Sequence, residues 1–124
     1  MMMLTLPWPP SVNRYWRHVF RGPTAGRIYI SAEGKAFRTH VAWVARQAKA
    51  PQIDAKALVR VNIVAYPPDR RSRDLDNLQK ATLDALTYAK VWHDDSQVDD
   101  LRICRARDDA GNLLLGGRLE VTIE

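Results

Sequence analysis

The chain has 124 residues, of which 46% are hydrophobic and 27% charged, with a formal net charge of +5 and a pI near 9.7. This length suits one domain with its own core, and no apolar run is long enough to cross a bilayer. The single cysteine excludes an internal disulfide. The first residues lack the basic and apolar regions of a signal peptide, so we expect a cytoplasmic protein without a membrane partner.

The first thirty residues combine a short strand with a long basic segment. Residues 3–6 (MLTL) have strand character, and several prolines follow them. The sequence therefore predicts a basic, proline-rich loop over about 7–26, which by its length is either functional or disordered. Residues 27–30 (RIYI) are predicted to be extended.

Two helices and one clearly alternating strand follow. Ser31 is a suitable N-cap for a helix over about 32–49, in which apolar residues recur at helical spacing. Residues 57–66 (ALVRVNIVAY) alternate between apolar and polar side chains, which is typical of a strand with one buried face. A second helix carries an apolar stripe between residues 75 and 89.

The last third of the chain predicts two more strands, at 101–107 and 118–124. Aspartate, glycine and asparagine residues between them supply turn chemistry, so we expect these two strands to pair as a hairpin. Altogether the pattern predicts an α+β fold in one domain over 1–124. About four or five strands form a mixed sheet on which two helices pack.

The segment RRSRDLDNLQK contains two closely spaced carboxylates ahead of the second helix. Asp74 and Asp76 lie in or next to an extended segment, where side chains two positions apart face the same way and can converge. Lys80 follows Asp76 by four residues and shares its helix face. A second acidic group, WHDDSQVDD, can supply a third carboxylate from Asp94 or Asp95 if the fold brings it back.

Converging carboxylates are costly unless a cation neutralises them, and Mg²⁺ takes carboxylate, water and phosphate oxygens as ligands. Such a metal polarises a phosphoryl oxygen and lowers the pKa of bound water. Lys80 would orient that water or stabilise charge on the phosphate. The structural alternative is a plain helix start, in which Asp76 caps the helix and pairs with Lys80.

Arginines outnumber lysines by fourteen to five, and the planar guanidinium suits a phosphate partner. Three arginines stand directly before the carboxylates, where they can hold a DNA backbone: Arg70, Arg71 and Arg73. A second basic group, with aromatic residues interleaved, lies in the N-terminal segment: Arg14, Arg17, Arg21 and Arg27, with Trp8, Tyr15, Trp16, Phe20 and Tyr29. Trp8 and Trp16 either stack on bases or anchor the loop.

Taken together, these segments resemble the RusA family of Holliday junction resolvases. The similarity runs from LPWPPSVNRYWR through SAEGKAFR, PPDRRSRDLDNLQKATLDALT and WHDDSQV to GGRLEVTI, in order and over nearly the whole chain. It implies a homodimeric endonuclease of bacteria and their phages, dependent on Mg²⁺ with Mn²⁺ as a substitute and without an organic cofactor. Such enzymes make paired cuts in four-way DNA junctions during recombination and repair.

The resemblance also implies roles for individual residues. The catalytic and metal-binding aspartates would be Asp74, Asp76 and Asp95, and the essential lysine would be Lys80. Residues that would contact DNA are Arg73 and, in the N-terminal segment, Asn13, Arg14 and Tyr15. Family members often have glycine where this chain has Lys90. A lysine there either costs about 1 kcal/mol or ends the helix differently, which bears on where Asp95 lies relative to Asp74.

Two other functions are compatible with the same residues. One is a module that binds junctions or duplex DNA without cleaving them and whose carboxylates are structural. The other is a nuclease for flaps or other branched DNA.

Overall fold

A four-stranded mixed sheet organises the fold. The computed structural model describes residues 1–124. Its elements in chain order are β1 (Met2–Pro7), α1 (Val12–Tyr15), β2 (Trp16–His18), β3 (Ile28–Ile30), α2 (Ala32–Gln47), β4 (Val59–Tyr66), α3 (Asp76–Tyr88), β5 (Val98–Arg105) and β6 (Arg118–Ile123). A short 3-10 helix, Asp95–Gln97, precedes β5. The predicted α+β class with a mixed sheet is confirmed.

The strand order in the main sheet is β1-β6-β4-β5. The central strand β4 pairs antiparallel with β6 and parallel with β5, and β6 pairs antiparallel with β1. Helix α3 is therefore the crossover of a β4–α3–β5 unit and runs back along the sheet. In this unit α3 begins beside the C-terminal ends of the parallel strands and ends beside their N-terminal ends.

The predicted hairpin between 101–107 and 118–124 is wrong, because β4 lies between these strands. The predicted turn residues do form a turn, but it lies within residues 107–113 and does not join the two strands. Asp108 accepts hydrogen bonds from the backbone N–H groups of Ala110 and Asn112, and a single bridge joins Arg107 to Leu113. The chain then crosses to the far side of β4 before it re-enters the sheet. Turn residues predict a reversal, but they do not specify which edge the next strand joins.

The core lies between one face of the sheet and helices α2 and α3. Alternate side chains of β4 are buried, as its pattern predicted: Val59, Val61, Ile63 and Ala65. Leu119, Val121 and Ile123 of β6 share this face, and Phe37, Val41, Leu78 and Leu86 cover it from the helices. None of the helices combines the length and apolar character needed to cross a membrane.

The predicted loop over 7–26 is interrupted by short helical and strand segments. It contains the end of β1, the one-turn helix α1 and strand β2, which pairs antiparallel with β3. We call residues 16–30, which comprise these two strands and their connecting turn, the N-terminal hairpin. The loop prediction did not include the short strand β2, because a strand of three residues leaves little alternation to detect.

Each of the two long helices is followed, two residues after its last residue, by a lysine in the left-handed conformation. Helix α2 begins as predicted, since Ser31 Oγ accepts a hydrogen bond from the N–H of Gly34 at 3.0 Å. It stops at Gln47, two residues early, with Lys49 at φ 54°. At the end of α3, Lys90 has φ 60° and makes the turn for which glycine is usually chosen.

Candidate active site

The two predicted carboxylates stand at the start of α3. Asp74 precedes the helix, its carbonyl accepts a hydrogen bond from the N–H of Asn77 at 3.3 Å, and Asp76 is the first helical residue. Both side chains are exposed, and neither forms an ion pair or a hydrogen bond within the chain. Two exposed carboxylates without protein partners at a helix N-terminus are free to bind a cation.

Lys80 is not the partner of Asp76. Its Nζ lies 4.9 Å from the centre of the Trp16 ring, a cation–π contact across the base of the N-terminal hairpin. Position 75, not Asp76, is the N-cap, and no side chain caps the helix there. The structural alternative of an N-cap with a helical salt bridge therefore does not describe this segment.

One turn further along the same helix face, Asp84 is structural. It accepts a hydrogen bond from the Tyr15 hydroxyl and forms an ion pair with Arg38 at 3.7 Å. Burial, followed by the hydrogen bond to Asp84, raises the pKa of Tyr15 well above its ordinary value. Since the Tyr15 side chain is fully buried, the predicted direct contact of Tyr15 with DNA does not fit the structure, and the residue instead anchors the hairpin.

A glycine makes this anchoring possible. A Cβ at position 34 of α2 would lie 2.7 Å from the Tyr15 carbonyl oxygen and 2.8 Å from Cγ2 of Ile30. Ser31 also binds this segment, because its N–H donates to the Tyr15 carbonyl at 2.9 Å and its hydroxyl donates to the carbonyl of Arg14. The base of the N-terminal hairpin is thus fixed against α2 and α3.

The arginines before Asp74 are arranged around Asp69. Arg73 NH1 lies 2.8 Å from one Asp69 oxygen and Arg71 NH2 lies 3.2 Å from the other. Hydrogen bonds from the Arg73 side chain and the Arg71 backbone lower the pKa of Asp69 well below its ordinary value. The Arg73 guanidinium also lies 5.8 Å from the centre of the Trp8 ring, whereas Arg70 is exposed without an ion-pair partner. Asp69 and Trp8 therefore orient Arg73 beside Asp74.

A groove of about 520 Å³ opens next to Asp74. Its polar lining comes from three separate parts of the chain: Ser11, Arg14, Glu33, Arg71, Ser72, Arg73, Asp74 and Asn77. Of the predicted DNA-binding residues, Arg14, Arg71 and Arg73 line the groove, while Asn13 and Arg17 are exposed outside it. Glu33 and Ser11 could not be assigned to this groove from the sequence, because only the fold brings them to Asp74.

The two aspartates of the second acidic group have different roles. Asp94 caps the 3-10 helix, and hydrogen bonds from Ser96 lower its pKa. Gln97 completes this capping box by accepting hydrogen bonds from the N–H groups of His93 and Asp94 at 2.8 and 3.1 Å. Asp95 is exposed, and its carboxylate has no hydrogen-bond or ion-pair partner in the chain. Of the two candidates that the sequence left open, Asp95 is therefore the one available as a ligand.

Within one chain, Asp95 lies at the wrong end of α3 to join the other two carboxylates. Asp74 and Asp76 follow the end of β4, whereas Asp95 precedes the parallel strand β5. The intervening helix of 13 residues is about 20 Å long. No three acidic, histidine or cysteine side chains of the chain come together as a metal site. Two carboxylates still fit Mg²⁺, which commonly takes one or two carboxylates with water and phosphate.

Comparisons with known proteins identify the family of the chain. The family model described as "Endodeoxyribonuclease RusA" matches residues 7–124. The chain is 48% identical over 120 residues to the crossover junction endodeoxyribonuclease RusA of Escherichia coli, covering 97% of this chain and 91% of that protein. Identity and coverage are the same for the rusA protein of Enterobacteria phage 82 and the RusA protein of Shigella sonnei. The chain belongs to the RusA family of endodeoxyribonucleases.

Proposed function

We propose that the protein is an Mg²⁺-dependent endonuclease, with Mn²⁺ as a substitute metal, that resolves four-way DNA junctions by paired cuts. The observation that carries this proposal is the pair of unpartnered carboxylates at the start of α3, beside Lys80 and an arginine-lined groove. Its setting is DNA recombination and repair in the cytoplasm of bacteria, with the gene carried by the bacterium or a phage.

Each part of the site has a distinct task in this proposal. Asp74 and Asp76 hold the metal, which when bound supplies charge to polarise the phosphoryl oxygen. Lys80, positioned by the Trp16 ring, orients the attacking water or stabilises the charge that develops on the phosphate. Arg71 and Arg73 hold the DNA backbone in register without reading the base sequence.

The third carboxylate, Asp95, is proposed to act across a homodimer interface. In one chain it is separated from Asp74 and Asp76 by the length of α3, yet it is exposed and unpaired. A two-fold dimer can place Asp95 of the partner subunit beside the α3 start of the first chain. Such a dimer presents two identical sites, which suits a junction whose own symmetry is close to two-fold.

The direct test is cleavage of a synthetic mobile four-way junction in Mg²⁺. We expect paired cuts by the native protein and loss of cleavage with retained binding in Asp74→Asn, Asp76→Asn and Asp95→Asn. Asp109→Asn is the matched control, because that carboxylate is exposed in a turn outside the site. Binding without cleavage in Mg²⁺ and in Mn²⁺ would identify a non-catalytic module instead.

The substrate class is decided by comparing rates. A junction resolvase cleaves four-way junctions faster than flaps, and plain duplex least of all. Faster cleavage of flaps would replace the proposal with a nuclease for other branched DNA.

A further inference from the structure

We propose that Phe20, at the turn of the N-terminal hairpin, is a base-stacking residue that contacts an unstacked base at the junction branch point. This inference rests on the proposed junction binding. It concerns a part of the hairpin that the catalytic arrangement does not use.

Phe20 is a large apolar side chain with almost nothing to pack against. It is 86% exposed, the joint highest value among the large apolar residues of the chain, and its one aromatic neighbour is His18 at 6.2 Å with nearly parallel rings. Backbone hydrogen bonds close the turn that carries it. The N–H of Gly26 donates to the carbonyl of Val19 at 2.7 Å, and Gly22 and Gly26 both adopt positive φ. The fold thus presents this ring to solvent on a defined support.

The charge around Phe20 selects a polyanion as its partner. The N-terminal hairpin carries Arg17, Arg21 and Arg27 and contains no aspartate or glutamate. An aromatic ring among cations is the surface that binds single-stranded or unstacked nucleic acid, because the cations attract phosphates while the ring stacks on a base. An apolar protein partner would not require this one-sided charge.

The hairpin also lies close to the proposed chemistry. Trp16 begins β2 and contacts Lys80 at 4.9 Å. Phe20 is four residues further on, at most about 14 Å along the chain. A strand whose phosphate lies near Lys80 therefore has bases within reach of Phe20 only a few nucleotides away, at about 3.4 Å per stacked nucleotide.

Stacking on Phe20 favours a branch point over intact duplex. In duplex DNA both faces of each base are covered by neighbours, so an inserted ring must first separate a base step at an energetic cost. At a four-way junction the continuous stack is interrupted, and a base face is available at lower cost. Phe20 would therefore add to the preference for junctions.

The test measures binding without metal, so that chemistry does not enter. The probes are a four-way junction carrying 2-aminopurine at the branch point and a duplex of the same sequence. We expect Phe20→Ala to weaken junction binding by roughly tenfold and duplex binding by less than about twofold, with loss of the 2-aminopurine signal change. Phe20→Trp should retain the native values, and Phe20→Leu, which keeps apolar bulk without a ring, should resemble Phe20→Ala.

Three results would overturn the inference. They are equal losses on junction and duplex, a Phe20→Leu protein that binds as well as the native one, and a shift from dimer to monomer in Phe20→Ala by sedimentation. Leu58→Ala, another exposed apolar position, is the control and should leave binding unchanged. If the native protein bound junctions but did not cleave them in Mg²⁺, the nuclease proposal would fail while these data would still decide the role of Phe20.

Discussion

In the proposed site, the contact of Lys80 with an aromatic ring leaves its charge available to a phosphate. A lysine four residues after an aspartate on a helix commonly pairs with it, but here the ammonium faces the Trp16 ring. A ring positions the charge without neutralising it, so Lys80 can still act on a phosphate. The sequence suggested the importance of Lys80, but Trp16 is distant along the chain and could not be recognised as its partner.

Replacing Lys80 by alanine is predicted to abolish detectable junction cleavage while lowering junction affinity by less than about threefold. The reason is that Lys80 is one of several cations near the DNA but the one next to the carboxylates. General acid–base or electrostatic groups of this kind contribute about 100- to 10,000-fold to rate. Single-turnover cleavage and metal-free binding measure the two quantities, with Lys56→Ala as the control on an exposed loop. Unchanged turnover would remove Lys80 from the catalytic set.

Tyr15 is predicted to contribute to stability rather than to DNA contact. Tyr15→Phe removes the hydroxyl that donates to Asp84 and should lower the free energy of unfolding by about 1–2 kcal/mol, measured by urea denaturation. Tyr66→Phe is the matched control, since its hydroxyl donates to Glu120 at a longer 3.3 Å in a more exposed setting and should cost less. Equal costs would contradict the anchoring role.

The raised pKa of Tyr15 gives this stability a pH dependence. The folded protein holds the phenol proton more tightly than the unfolded chain, in which the pKa is near 10.0. Tyr15 therefore contributes its full share of stability below the unfolded-state pKa. Above about pH 10, the free energy of unfolding should fall by up to about 1.4 kcal/mol per pH unit. Subtracting the pH profile of Tyr15→Phe isolates this slope. An identical slope in both proteins would assign the loss to other groups.

At the level of elements, the two lysine-ended helices show backbone geometry overriding residue preference. The N–H of Lys90 donates to the carbonyl of Thr87 at 3.0 Å, and the N–H of Val91 donates to that of Leu86 at 3.1 Å. This is the hydrogen-bond pattern that a glycine terminus makes. The usual helix end is thus preserved despite the lysine, at the expense of some conformational strain.

Lys90→Gly is therefore predicted to raise the free energy of unfolding by about 0.5–1 kcal/mol, because glycine reaches positive φ without steric cost. Lys35→Gly makes the same chemical change at an exposed position inside α2 and should lower stability by about 1 kcal/mol. Thermal or urea unfolding of the two variants shows whether each substitution raises or lowers the free energy of unfolding. If both substitutions lowered stability, the interactions of the Lys90 side chain would stabilise the fold by more than its positive φ costs.

Helices and strands with a clear hydrophobic periodicity were predictable from the sequence, whereas the pairing of the strands was not. Helices α2 and α3 and strand β4 followed from periodicity and from a side-chain cap. The pairing of β5 was missed because a strand of alternating pattern fits beside any neighbour, and only the crossover through α3 makes it parallel to β4. The same crossover separates Asp95 from Asp74; the helix between them was predictable from the sequence, but where the chain places Asp95 after that helix was not.

For the whole molecule, the excess of arginine predicts binding that depends strongly on salt. Raising the salt concentration about fourfold should weaken junction binding by about a hundredfold if about four phosphates are neutralised. Fluorescence anisotropy over a salt series measures the slope of the affinity, and Arg70→Ala should make that slope shallower by about one. A flat response would contradict the arginine-lined groove as the DNA surface.

In the proposed homodimer, the site would become complete only at the interface between subunits. One chain supplies two free carboxylates before one end of α3 and a third, Asp95, after the other end of this helix, which is about 20 Å long. The same chain cannot bring them together without unfolding the β4–α3–β5 unit. Catalysis that uses all three carboxylates therefore requires Asp95 of one subunit to lie beside Asp74 and Asp76 of the other.

Mixing two inactive variants tests this claim most directly. Asp76→Asn and Asp95→Asn proteins are denatured together, refolded, and assayed for nicking of a four-way junction in Mg²⁺. If sites form between subunits, each mixed dimer has one site with all native carboxylates and one with both substitutions, so the account predicts that nicking returns. If mixed dimers form and no nicking returns, the three carboxylates do not meet across the interface, and the proposed composite site is wrong.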